Sequence, residues 1–205
     1  MKSRGLYGLV AVVIRACGDF IAMSFFEGYD ITINMISDLG TGAGNIFFNM
    51  GVFIAGLFLI PFFLVLGNAF KDEEVNENLR IITVTLSFIS AITFSLLGVT
   101  LGLYLLFPQI TFFLTLHFVF AAACYIFGAL SFTLLGILLI KSSNYSYLLP
   151  FACFISTGIG ILFILTWVPL IEWISTYFIL FTIAIIASYF TFFDKNDNKL
   201  FATNK

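Results

Sequence analysis

The sequence predicts an all-α polytopic membrane protein, a bundle of six transmembrane helices with both termini cytoplasmic. Three observations carry that expectation. The 205 residues are 61% hydrophobic and only 10% charged, more apolar surface than a soluble chain of this size can bury. Apolar runs recur that are long enough, at roughly 18 residues or more, to cross a hydrocarbon core of about 30 Å. These runs do not alternate with period two, and lipid leaves no partner for an unpaired backbone group, so they read as helices and not barrel strands. The whole chain, 1–205, reads as a single transmembrane domain, with 194–205 as a polar cytoplasmic tail.

Span 1 runs from Leu6 to Phe26. Lys2 and Arg4 precede it, as in a signal peptide, but Arg15 and Asp19 break its apolar core and no clean small-residue cleavage site follows, so it reads as a retained helix. The loop to Gly44 carries Glu27, Asp30 and Asp38 and no Lys or Arg. Span 2 covers Asn45 to Phe70 and contains Pro61, a residue expected to kink it. Span 3, Leu79 to Phe107, has Gly98 and Gly102 at a spacing that lets a neighbouring helix approach. A tight turn at Phe107-Pro108-Gln109 leads to span 4, Ile110 to Ile140, which holds His117, the only histidine. Span 5 is Leu148 to Val168. Pro169 and Glu172 mark the next turn, and span 6 is Trp173 to Phe193. Cys17, Cys124 and Cys153 fall inside spans without CxxC spacing and read as small apolar packers. No internal repeat is visible, so an inverted-repeat transporter is not supported.

Topology follows from the placement of Lys and Arg. Outside the spans they lie in the N-terminus, the 71–80 loop, the 141–147 loop and the C-terminal tail, the four segments on one side of a six-span chain. That side is expected to be cytoplasmic, and the Ser37-Asp38 loop to face outward. A net charge of −2 suggests no nucleic-acid partner.

This topology gathers the unusual polar residues at one depth. Arg15 and Asp19, four apart, share a helix face and can pair. Asn45 and Asn49 share the outer turns of span 2. His117 lies about 10 Å below the outer lip at 1.5 Å per residue, and Glu172 begins span 6 at the outer surface. The expectation is that Asp19, Asp38, Asn45, Asn49, His117 and Glu172 converge on a water-accessible cavity, with the loop from Met35 to Gly40 as its lip. An ionisable residue within a span points to function by default. Structural alternatives stand beside each: an ion pair orienting span 1, a packing histidine, a solvated helix-terminal acid at Glu172, turn and cap roles for Ser37 and Asp38, interhelical glue at Asn49.

At Ile36-Ser37-Asp38-Leu39-Gly40, followed by Phe48-Asn49-Met50-Gly51, the chain resembles the domain-of-unknown-function 998 membrane proteins. More broadly it resembles the eukaryotic Frag/DRAM/Sfk-type six-span proteins, with a similar Ser-Asp loop, a Phe-Pro turn and a histidine in span 4. The family has no assigned activity. Its eukaryotic relatives are linked to lipid or GPI-anchor remodelling and membrane trafficking, so the resemblance implies a lipid-related role.

Three functions compete. A lipid-handling protein, enzyme or not, would bind or modify a lipid head group or lipid-linked substrate. In it His117, Asp38 and Ser37 form the candidate catalytic set, His117 being the general acid or base. Arg15, Asp19, Asn45, Asn49 and Glu172 would be its substrate-binding residues. No cofactor is implied; one histidine argues against zinc, and the carboxylates leave a Mg²⁺ or Ca²⁺ site open. An accessory subunit would instead bind membrane lipids or another membrane protein. A proton-coupled carrier would relay through Asp19, Arg15 and His117, but spans 4 and 6 lack polar residues in their inner halves. The expected location is the plasma membrane. A topology reporter fused to either end should read cytoplasmic, and an impermeant thiol reagent should label Ser37→Cys from outside; the opposite pattern would reverse the depth assignments.

Overall fold

In the computed structural model, residues 5–71, 75–142 and 145–193 are described; the expected 194–205 tail lies outside them. They form six long α-helices: α1 (Leu6–Ser24), α2 (Asn45–Ala69), α3 (Glu77–Leu106), α4 (Phe112–Lys141), α5 (Leu148–Thr166) and α6 (Pro169–Ser188). A five-residue 3-10 helix, Ile36–Gly40, lies between α1 and α2, and a π-helical turn, Tyr189–Phe193, ends α6. All six α-helices are long and apolar enough to cross a membrane, which makes this an integral, polytopic membrane protein.

The helix ends follow local chemistry. Asn76 caps α3 by accepting from the Leu79 N–H at 3.1 Å, so the helix starts at Glu77, ahead of the expected Leu79. Arg80 then pairs with Glu77 and donates to the Gly67 carbonyl at 3.1 Å, a cation on the last turn of α2. Trp167 takes a left-handed conformation, φ 51°, which ends α5. Pro169 opens α6 at a position where its missing N–H costs nothing. Helix α6 therefore begins before the expected Trp173, and Glu172 is in its first turn. Helix α2 runs unbroken through Pro61.

Each helix packs on the next in sequence, and α6 returns to α1, so the helices close into a ring. Two devices hold it. On the α1–α2–α3 side, backbones approach through glycine. A Cβ on Gly18 would lie 2.8 Å from the Phe47 carbonyl oxygen, and one on Gly98 would lie 2.2 Å from that of Asn49. On the α3–α4–α5–α6 side, hydroxyls pair across helices: Ser87 with Ser131 at 2.5 Å, Thr133 with Thr157 at 3.2 Å and Ser156 with Thr182 at 2.8 Å. Apolar packing fills the end away from the 3-10 helix, around Phe62, Leu135, Leu139 and Ile186.

Of the expected glycine pair only Gly98 makes a close helix contact. Nothing lies within 4 Å of a Cβ built on Gly102. Gly98→Leu should therefore separate α2 from α3 and destabilise the protein by about 1–3 kcal/mol. Gly102→Ala should leave the unfolding midpoint unchanged or raise it. Reversible unfolding in detergent compares the two directly.

Candidate functional site: a polar mouth under a plug helix

The 3-10 helix Ile36–Gly40 closes one end of the ring. Ile36 and Leu39 are buried and pack with Ala22, Phe48, Val52, Leu101 and Trp173. Backbone groups drawn into apolar surroundings need partners. The Ile36 N–H donates to Glu172 Oε2 at 2.7 Å. The Tyr29 hydroxyl donates to the Met35 carbonyl at 2.7 Å and accepts from Trp173 Nε1 at 2.9 Å. Asn49 Nδ2 donates to the Gly40 carbonyl at 2.9 Å. Asp38 Oδ2 accepts from the Met35 N–H at 2.9 Å, capping its own helix. Burial pushes the Tyr29 phenol above its usual range, which keeps it a donor. Nearby, Thr32 donates to Asp30 from both its hydroxyl and its amide and holds that exposed carboxyl below the usual range.

Beneath this plug, all six helices line a central cavity of about 130 Å³. Its charged and imidazole groups, Arg15, His117 and Glu172, stand toward the plug with Ser37 and Thr176, while Ser90, Cys124 and Ser156 line it farther along. Farther along, Leu59, Phe63, Phe132 and Ile183 make an apolar end. A second chamber of about 250 Å³ lies between α4 and α5 under the plug, with Asp38, Phe118, Phe163 and Trp167 in its walls. Ser37, His117, Ala121, Tyr125 and Glu172 belong to both chambers and form their junction. His117, Ala121 and Tyr125 follow at four-residue steps, one face of α4.

His117 is 6% exposed and Glu172 7%. His117 Nδ1 lies 3.4 Å from the Leu97 carbonyl oxygen. A proton on that nitrogen satisfies the carbonyl and leaves Nε2 as an acceptor. Arg15 is 2% exposed and Asp19 is fully buried; they form an ion pair within α1. Tyr177 donates to the other Asp19 oxygen at 3.3 Å. The guanidinium carbon lies 4.5 Å from the centre of the Phe48 ring and 5.8 Å from that of Phe94, an arrangement in which ring faces stand in for water around the cation.

The predicted residues divide accordingly. Arg15, Ser37, His117 and Glu172 line the central cavity, and Asp38 the second chamber. Asp19, Asn45 and Asn49 line neither. Asp19 neutralises Arg15, Asn45 donates to the Gly42 carbonyl at 2.8 Å, and Asn49 ties down the plug. In Met35–Gly40, Ile36, Leu39 and Gly40 are buried while Met35, Ser37 and Asp38 are half-buried and line the second chamber, and Glu172 is the buried acceptor of this segment and not a solvated terminal acid. Tyr125, Thr176 and the Tyr29–Trp173 latch were not anticipated. The His117-Ala121-Tyr125 face, continuing to Gly128, was the one available signal for the first. Tyr29 and Trp173 carried none in a chain this aromatic. Among the described residues, no three His, Cys, Asp or Glu side chains gather closely enough to hold a metal ion.

No protein-family model, curated protein or solved structure matches the chain.

Breaking a buried pair by removing one partner strands the other charge, at about 3–5 kcal/mol. Arg15→Met or Asp19→Leu alone should carry that penalty, and the double variant Arg15→Met/Asp19→Leu far less than the sum. A double-mutant cycle by equilibrium unfolding measures this; additive penalties would mean that the two charges act independently.

Proposed function

We propose that this protein binds a membrane amphiphile, with the polar head at the Ser37–His117–Glu172 junction and the apolar part in the two chambers which that junction connects. The observation that carries the reading is the polarity gradient along one enclosed space. Charged and imidazole groups stand at the plug end, and the rest of the wall is mostly hydrocarbon, the hydroxyls of Ser90 and Ser156 being already bonded within the bundle. A concave, mostly apolar site with a few convergent polar groups is the usual form of a small-molecule site. The resemblance at Ile36–Gly40 to the domain-of-unknown-function 998 proteins, with its lipid-linked relatives, agrees. So does an orientation that turns the plug outward, as the distribution of Lys and Arg implies. The bilayer in question is then the plasma membrane.

Binding is favoured over catalysis. The Asp38 carboxylate is engaged on the Met35 N–H, and His117 Nδ1 faces a backbone carbonyl. No carboxylate therefore orients the imidazole toward Ser37, as a Ser-His-Asp mechanism needs. A carrier relay is disfavoured because the far end of the cavity offers no charged group.

A diazirine-bearing fatty acyl probe, irradiated with the protein in nanodiscs, tests this. Crosslinks are expected on α4 from His117 to Phe132 and on α6 from Glu172 to Ile183, and His117→Leu should reduce them at least fivefold with the fold retained. Asp38→Asn keeps an oxygen for the Met35 N–H and should change little. Labelling confined to outward residues such as Val13, Phe20 and Ile46 would overturn the proposal.

A further inference from the structure

Resting on the amphiphile reading, we infer that the second chamber is a site for a quaternary ammonium group, the methyl-clad cation of the guest's head lodged beside the Ser37–His117–Glu172 junction. Three independent features of the chamber lead there.

The first is a strained residue. Trp167 ends α5 with φ 51° and ψ 31°, the left-handed conformation that glycine usually supplies at a helix end and that a bulky side chain adopts against its own sterics. Among the described residues it is the one non-glycine with a positive φ. Strain of this kind gathers at functional positions. What the strained conformation secures is an indole in the chamber wall.

The second is the wall itself. Phe118, Tyr125, Phe163 and Trp167 all line the chamber. The centre of the Phe163 ring lies 4.9 Å from that of Tyr125 and 5.6 Å from that of Trp167, and the two pairs are tilted at 49° and 53°. The rings therefore turn their faces in different directions and do not stack into a sheet. The Tyr125–Phe163 contact also closes α4 against α5. Ring faces carry partial negative charge, and an aromatic cage is the usual way to hold a methylated ammonium. An apolar cavity of about 150 Å³ takes a benzene ring. This chamber, at about 250 Å³, accommodates a trimethylammonium group, which has fewer heavy atoms, together with its linkage.

The third is negative charge without free acceptors. Asp38 and Glu172 line the chamber, and no described Lys or Arg does. Neither the Arg15–Asp19 nor the Arg80–Glu77 ion pair involves Asp38. Each of the two carboxyl groups already accepts a backbone N–H, from Met35 on Asp38 and from Ile36 on Glu172. A primary ammonium would bring three N–H donors in search of acceptors. A quaternary ammonium brings none. It asks for negative potential and apolar walls, and the chamber supplies both.

Competition against radiolabelled lysophosphatidylcholine, with the full chain in maltoside micelles, tests this. The competitors are lysophosphatidylethanolamine of the same chain, choline, and its uncharged isostere 3,3-dimethylbutan-1-ol. The choline lipid should bind about tenfold tighter than the ethanolamine lipid, and choline should compete where the isostere does not. Choline much weaker than the lipid supports a lipid head as the source. Choline as tight as the lipid would keep the ammonium site and sink the amphiphile reading. Trp167→Gly should leave the unfolding midpoint unchanged or raise it, since glycine suits the left-handed position, and yet weaken the choline lipid about tenfold. Asp38→Asn keeps the cap on Met35 and should also weaken it about tenfold, while labelling by the acyl probe, which carries no cation, persists. Equal binding of the two lysolipids, or undiminished affinity in Trp167→Gly, would overturn this inference and leave the amphiphile reading standing. No binding of either lysolipid, with acyl crosslinks absent from α4 and α6, would overturn both.

Discussion

The hydrogen bond from the Ile36 N–H to Glu172 holds the rest of the arrangement in place. A short helix between two spans has few internal hydrogen bonds and leaves most of its backbone groups unsatisfied. In water that is harmless. Inside an apolar ring each unpaired group costs several kcal/mol. The bundle supplies the partners from three directions: Glu172 from α6, Asn49 from α2, and Tyr29, itself held by Trp173, from the loop after α1. Removing the carboxylate would leave a buried N–H and a plug with no anchor on α6. The same carboxylate faces both chambers. Closure of the ring and the chemistry of its mouth therefore share one side chain.

The two halves of the ring differ in what they can tolerate. Glycine contacts such as Gly18 on Phe47 and Gly98 on Asn49 set backbone against backbone, and tightly packed surfaces of that kind have no neighbouring arrangement of similar energy. Hydroxyl pairs are weaker, averaging about 0.6 kcal/mol between membrane helices, and they can change partner. Thr157 already lies within reach of Thr133, the Ala129 carbonyl and the Cys153 carbonyl. The second chamber lies in the half built with exchangeable bonds.

The fold was largely legible because lipid removes most alternatives. Once the apolar runs are long enough, only helices satisfy their backbones, and even six of them bring both ends of the chain to one face. The helix ends were less legible. Glu77 and Pro169 start their helices because of a single cap and a single fixed φ, signals that hydrophobicity does not carry. The site was legible in part. Arg15, Ser37, His117 and Glu172 stood out because polar groups are rare in such a sequence, and these four line one cavity. Depth, however, does not fix azimuth. Asp19 and Asn49 lie at the right level but turn away, one toward Arg15 and Tyr177, the other toward Gly40. The same ignorance of azimuth hid Tyr125 and Thr176, ordinary residues whose position on the inner face alone gives them a role.

The spacing of Arg15 and Asp19 bears on how the protein is made. Synthesis proceeds from the amino end, so α1 reaches the insertion machinery before α2 to α6 exist to shelter its charges. A lone arginine or aspartate at mid-span is charged about 2.5–3.5 kcal/mol by that machinery. With the two side chains one turn apart on a single helix, neutralisation needs nothing downstream. Phe48 arrives with the next helix to cover the guanidinium, and Tyr177 comes last. The order in which these partners emerge from the ribosome is the order in which the charge is progressively buried.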